Sequence, residues 1–171
     1  MNRVALLLGG NQGDRRALLK QATELIRDRI GAVVSFSRIH ETEPWGAFEE
    51  ADGRQKVENF LNQALLVETS LSAHEVLEEA LLIEALLGRL RPATPGQPLH
   101  AVADVSHRLY HSRPMDIDLI FWNDEVIDLP DLQIPHPRAH LRRFVLEPLA
   151  EIMPDYVHPT LGLTVRELLA R

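Results

Sequence analysis

Arg113-Pro114-Met115-Asp116-Ile117-Asp118-Leu119-Ile120-Phe121-Trp122 sets two carboxylates into a run whose other members suit a packed β-strand. Side chains on a strand alternate between faces, so Asp116 and Asp118 fall on one side and Met115, Ile117, Leu119 and Phe121 on the other. Two same-face carboxylates stand about 6.5 to 7 Å apart at Cα. Keeping both ionised calls for a counter-charge, and Mg²⁺ suits hard oxygen ligands of this kind, usually taking one or two carboxylates plus substrate phosphates. The plainer alternative is an edge strand with a solvated acidic face. What surrounds the motif decides between them.

The 171 residues are 45% hydrophobic and 25% charged, which suits one globular domain over 1–171 with a sizeable core. No apolar run approaches a membrane span, and the first residues do not read as a signal peptide, so a cytoplasmic protein without membrane contact is expected. With no cysteine, disulfides and thiolate metal sites are excluded, and any metal is held by oxygen or imidazole. The formal charge of −7 argues against a nucleic-acid partner, although a small anion still suits a local cluster of arginines. A monomer is expected.

Upstream, Val4 to Leu8 reads as a buried strand, ended by the turn chemistry of Gly9-Gly10-Asn11-Gln12-Gly13-Asp14. Leu18, Leu19, Ala22, Leu25, Ile26 and Ile30 recur at helical spacing, with Asp14 as cap and Gly31 as stop. Ala32 to His40 reads as a second strand, and Ala47 to Glu58 as a loop. Asn59 to Thr69 is a third strand, with Phe60, Asn62, Ala64 and Leu66 on one face. Ser72-Ala73-His74-Glu75 is a capping box opening a helix to about Leu87, stopped by Gly88. Glu84 lies at the edge of its apolar face, either snorkelling or accepting a hydrogen bond. Pro92 to Ser112 is the least structured stretch.

Downstream, Asn123-Asp124 makes a turn and Glu125-Val126-Ile127 a short hairpin partner. Ile134-Pro135-His136-Pro137 is extended. Arg138 to Ile152 has a helical pattern that Pro148 weakens or splits, and Thr164-Val165-Arg166-Glu167 is a second capping box. The order, β-α-β-β-α-β plus a C-terminal helical elaboration, predicts an α+β fold: a ferredoxin-like, split βαβ α/β sandwich with a mainly antiparallel sheet.

Several ordered blocks carry a resemblance. They are Leu8-Gly9-Gly10-Asn11-Gln12-Gly13-Asp14, Thr42-Glu43-Pro44-Trp45-Gly46, Phe60-Leu61-Asn62, Ile83-Glu84 with Gly88-Arg89-Leu90-Arg91, Arg113-Pro114-Met115-Asp116-Ile117-Asp118, and Pro135-His136-Pro137-Arg138 with Arg142-Arg143-Phe144. Together they resemble the 6-hydroxymethyl-7,8-dihydropterin pyrophosphokinase family, which transfers pyrophosphate from ATP to a pterin alcohol in folate biosynthesis. The resemblance implies that Asp116 and Asp118 hold two Mg²⁺ ions, with Arg89, Arg91 and Arg113 joining them in catalysis. It implies that Glu84, Arg91, Arg113, Leu119, His136 and Arg142 bind ATP. Thr42, Pro44, Trp45, Phe60, Asn62 and Phe144 would bind the pterin, the two phenylalanines by stacking and Asn62 along its edge.

Read alone, Phe60 and Phe144 suit a core equally well; an amide on the face of Phe60 tips the balance, because Asn62 is costly to bury without a partner. The family often carries aromatic-Gly-Pro before the arginine of the acidic motif, where this chain has Tyr110-His111-Ser112. The stretches from Gly46 to Phe60 and from Arg91 to Arg113 are longer than in compact members, and Arg108 is the lid cation that can be named. Two rival readings are another Mg²⁺-dependent nucleotidyl or glycosyl transferase using D-x-D, and a non-catalytic ferredoxin-like ligand-binding module.

Overall fold

The computed structural model describes residues 1–11, 13–43, 59–89 and 115–171. Strand β1 (Asn2–Gly10) is buried without alternation from Val4 to Gly10, as a strand covered on both faces must be. It pairs antiparallel with β4 (Phe60–Thr69) on one side and with β5 (Asp116–Trp122) on the other. β2 (Ala32–Phe36) and β3 (His40–Thr42) both pair antiparallel with β4, so the sheet runs β2-β4-β1-β5 with β3 beside β4. The stretch expected as one strand from Ala32 to His40 is broken at Ser37. There the Ser37 N–H donates to the Ala64 carbonyl, and its hydroxyl accepts the Ala64 N–H, each at 2.9 Å.

The alternation of the strands divides the interior in two. Val4, Leu6, Leu8, Leu61, Leu65, Ile117 and Leu119 pack under α1 (Arg15–Arg29) and α2 (Ala73–Arg89). Ala5, Leu7, Ala64 and Phe121 pack on the opposite face under α3 (Arg143–Ile152) and α4 (Val165–Ala170). Caps fix where the helices start. Asp14 accepts the Ala17 N–H at 3.2 Å, Ser72 and Glu75 exchange reciprocal bonds at 3.2 and 2.8 Å, and Thr164 and Glu167 do the same. Gly31 is required by contact: a Cβ there would lie 2.0 Å from the Glu68 carbonyl oxygen.

Several local expectations change. Gly9 and Gly10 extend β1 because they pair with Asn62 and Leu61, and the turn begins only after them. Gly88 lies inside α2, which continues to Arg89. The β1–β5 register shifts between Ala5 and Leu6, so Phe121 crosses to the α3 face and does not share the side of Ile117 and Leu119. The hairpin forms further along, from β6 (Ile127–Leu129) and β7 (Leu132–Ile134). After a cis Ile134–Pro135 bond the chain forms a 3-10 turn over Ala139–Leu141, and Arg142, at φ −122°, separates it from α3. The helical pattern therefore splits at Arg142, while Pro148 sits buried inside α3.

The C-terminal segment is closed by a histidine. His158 is 4% exposed, its ring stands edge-on to Phe121 at 5.8 Å, and its Nδ1 accepts the N–H groups of Thr160 and Leu161 at 3.2 and 3.1 Å. Burial, then the nearby His140, holds its pKa below the ordinary 6.5. Since the folded pKa is depressed, the neutral ring contributes stability that is present above about pH 6.5 and lost as pH falls through the folded value. Urea unfolding between pH 7.5 and 5 should show stability declining on acidification, with a smaller slope in His158→Gln. Equal slopes would exclude this role.

Candidate active site

Paired residues on neighbouring antiparallel strands share a face, which brings distant parts of the sequence into one row. His40 lies opposite Asn62, Asn62 opposite Gly9, and Gly9 opposite Asp116. In the next row Ala64, Leu7 and Asp118 stand side by side. Asn62 and Asp116 are thus two strand spacings apart, about 10 Å. Gly9 lies between them and presents no side chain, so the floor of the row is bare backbone. A Cβ built on Gly9 would sit 2.8 Å from Asn62 Oδ1.

Asn62 is 3% exposed and its Nδ2 donates to Thr42 Oγ1 at 3.1 Å. That bond orients the amide and leaves further donor and acceptor capacity for another group. Phe60 precedes it on the same face, opposite Thr42 on β3. Phe144, at the start of α3, packs partly buried against the core on this side of the sheet, and the Arg142 guanidinium carbon lies 5.7 Å from its ring centroid. Both phenylalanines are half-buried, with ring area left for a ligand. Asp116 and Asp118 are also half-buried, and Asp116 Oδ1 is sealed from solvent.

Beyond β5 a cleft of about 330 Å³ is lined by Leu77, Asp118, Leu119, Asp131, Gln133 and His136, among others. His136 is anchored by its N–H, which donates to the Ile120 carbonyl at 3.0 Å, and its Nδ1 accepts the Arg138 N–H at 3.3 Å. A neutral imidazole whose Nδ1 accepts carries its proton on Nε2, the donor left for a ligand. Burial, then Arg142 and Arg138, lowers the pKa of His136 from 6.5. At the mouth, His74 Nε2 and Asp131 Oδ2 meet at 2.9 Å and tie the hairpin to α2; Asp131 raises the His74 pKa.

The structure therefore gathers Asp118, Leu119 and His136 around one cleft, and Thr42, Phe60, Asn62, Asp116, Asp118 and Phe144 on one side of the sheet. Glu84 is the hydrogen-bond acceptor of the two options: its Oε2 takes the Ile117 N–H at 2.7 Å. Arg89 is the last residue of α2. Pro44, Trp45, Arg91, Arg108, Tyr110 and Arg113, with the loops 47–58 and 92–112, lie outside the described residues. Asp131, Gln133 and Leu77 were not singled out by sequence. For Asp131 and Gln133 the available signal is the hairpin that follows the acidic strand, and for Leu77 it is the apolar face of α2.

The family model described as 7,8-dihydro-6-hydroxymethylpterin-pyrophosphokinase (HPPK) matches residues 5–154. The 2-amino-4-hydroxy-6-hydroxymethyldihydropteridine pyrophosphokinase of Bacillus subtilis is 38% identical over 154 residues, covering 89% of this chain and 79% of that one. The enzyme of the same name from Methylorubrum extorquens is 37% identical over 172 residues, covering 100% and 94%. Among solved structures, wild-type Plasmodium falciparum HPPK-DHPS matches with a TM-score of 0.71 at 17% identity, over 99% of this chain. That likeness is one of fold, and this chain spans 44% of the longer one.

Two measurements probe this geometry. Gly9→Ala should shift the Asn62 side-chain amide signals in a ¹⁵N spectrum while lowering stability by only about 1 kcal/mol, since a flexible amide can give way. An unmoved amide pair would contradict the close approach. An NMR titration of the ligand-free protein should find the His136 ring titrating below 6.5.

Proposed function

The chain belongs to the 7,8-dihydro-6-hydroxymethylpterin-pyrophosphokinase family, ATP-dependent pyrophosphokinases of folate biosynthesis, and we propose how its residues divide that work. The pterin lies between the Phe60 and Phe144 rings, its polar edge paired with the Asn62 amide that Thr42 orients, and Pro44 and Trp45 complete this pocket. Flat heterocycles gain from stacking on both faces, and an amide already oriented by one hydrogen bond has further donor and acceptor capacity for the ligand edge. ATP occupies the cleft beside β5. Leu119 and Leu77 flank its base, and His136 Nε2–H and Arg142 donate to its phosphates. Arg89, Arg91 and Arg113 add charge there, and Glu84 lies near the nucleotide.

Asp116 and Asp118 fit Mg²⁺, because two hard oxygen donors on one strand face match what that ion takes from protein when phosphates supply the rest. Two ions held there would neutralise phosphate charge and acidify the attacking alcohol. The hydroxymethyl oxygen attacks the β-phosphorus of ATP in line and AMP leaves. Phosphoryl transfer asks mainly for positioning and charge stabilisation, so the protein's contribution is to hold donor and acceptor at a fixed distance. The observation that supports the reading is the row Asn62–Gly9–Asp116, in which Asn62 and Asp116 share one face and the residue between them carries no side chain. The order β2-β4-β1-β5, with α1 and α2 on one face, supports a ferredoxin-like description of a single domain over 1–171.

With Mg²⁺, ATP and 6-hydroxymethyl-7,8-dihydropterin, AMP should appear in step with pterin diphosphate. Asp116→Ala and Asp118→Ala should each lower the rate by at least about 100-fold. Asn62→Leu should raise the KM for the pterin by roughly 10- to 100-fold and leave that for ATP near its original value. Release of ADP, or activity surviving both aspartate substitutions, would refute the assignment.

A further inference from the structure

β5 is the last strand of its sheet, paired with β1 along one edge. The N–H groups on the outer edge of such a strand usually go to water. At Ile117 the outer N–H goes instead to α2: Glu84 Oε2 accepts it at 2.7 Å, with Ile117 5% and Glu84 9% exposed. Glu84 is the only buried Asp, Glu, Lys or Arg among the described residues, and its neighbours on that face of the helix, Ala80, Ile83 and Leu87, are all apolar. A carboxyl is costly to bury, and packing alone would be served by another leucine. Ile117 is the residue between the two aspartates.

We propose that Glu84 is a positioning residue for the Asp116–Asp118 pair. Leu8 faces Ile117 from β1 and Glu84 grips it from the opposite edge, so β5 is held from both sides at the midpoint of the acidic motif. A strand clamped there can neither slide nor roll about its axis, and the direction in which both carboxylates project is set by that clamp. Glu84 thereby acts on the cation through a backbone amide, without touching it. This deepens the functional reading above and rests on its assignment of Asp116 and Asp118 to the cation. Ligand-orienting partners one shell out commonly matter by 10- to 100-fold in affinity or activity.

The test compares Glu84→Gln, which keeps an acceptor oxygen of the same reach, with Glu84→Leu, which keeps the volume and removes the acceptor. Hydrogen exchange of the Ile117 amide, read by NMR, should stay slow in Glu84→Gln and become fast in Glu84→Leu. Broadening of the 116–118 amide signals by Mn²⁺ alone should need about the wild-type concentration in Glu84→Gln and on the order of 10- to 100-fold more in Glu84→Leu. Activity should follow the same split, with rescue by Mg²⁺ in excess. If Glu84→Gln is as impaired as Glu84→Leu in Mn²⁺ binding while its Ile117 amide stays protected, the charge and not the clamp is what matters, and the proposal falls. It falls equally if Glu84→Leu binds Mn²⁺ like the wild type. Should Glu84→Leu not fold, Glu84→Asp, with its shorter reach, takes its place in both measurements. Because neither readout requires turnover, a wild-type protein that makes no AMP would refute the enzyme assignment and leave the clamp to be judged on its own.

Discussion

Strand β1 contributes no reacting group, yet the distance between the two halves of the site depends on it. Antiparallel ladders fix neighbouring strands at about 4.8 Å, so placing β1 between β4 and β5 sets the span from Asn62 to Asp116 without any side chain having to measure it. The spacing is as rigid as the sheet. At the one position where a side chain would intrude on that span, the residue is Gly9, and the close approach of Asn62 Oδ1 shows that the space is already taken. Here a glycine matters through the room it yields to the Asn62 side chain, since its conformation is ordinary strand.

The helix that supplies the second aromatic ring is held at both ends. Near its start, Arg142 leans over Phe144. Near its end, Glu151 accepts the Arg38 N–H at 2.9 Å and also pairs with His40, in the stretch of edge that carries Thr42. One helix thus couples Phe144 to the strands bearing Thr42 and Asn62. On the far side, β5 is bracketed by β1, by α2 through Glu84, and by the β6–β7 hairpin that His74 and Asp131 draw toward α2. Both halves of the site are framed by polar tethers, through Glu151 on the aromatic side and through Glu84 and His74 on the side rich in carboxylates.

The parts legible in the sequence were those written in local chemistry. Asp14, Ser72 with Glu75, and Thr164 with Glu167 announce helix starts because a cap needs only its own first turn. The facing of Asp116 with Asp118, and of Phe60 with Asn62 and Ala64, follows from the period of a strand. What the sequence leaves hidden depends on a partner far along the chain. Gly9 and Gly10 look like a turn until Asn62 and Leu61 pair with them, and Phe121 changes faces only because the ladder slips between Ala5 and Leu6. Likewise the break at Arg142 obeys no residue preference and overrides the more obvious Pro148. Glu84 was visible as ambiguous, and only the position of Ile117 resolved it.

The central place of β1 has a consequence for how the molecule is made. β1 needs two partners that are both synthesised after it, one beginning near residue 60 and the other near residue 116. Until those have been synthesised, an almost continuous apolar run from Val4 to Leu8 has nothing to pair with on either edge. Contacts of such long sequence separation pay their loop-closure entropy before any ladder forms, which slows folding and prolongs exposure to wrong partners. The helix α1, capped by Asp14 and able to cover Leu6 and Leu8 early, is the local element placed to shield that run while the chain waits for β5.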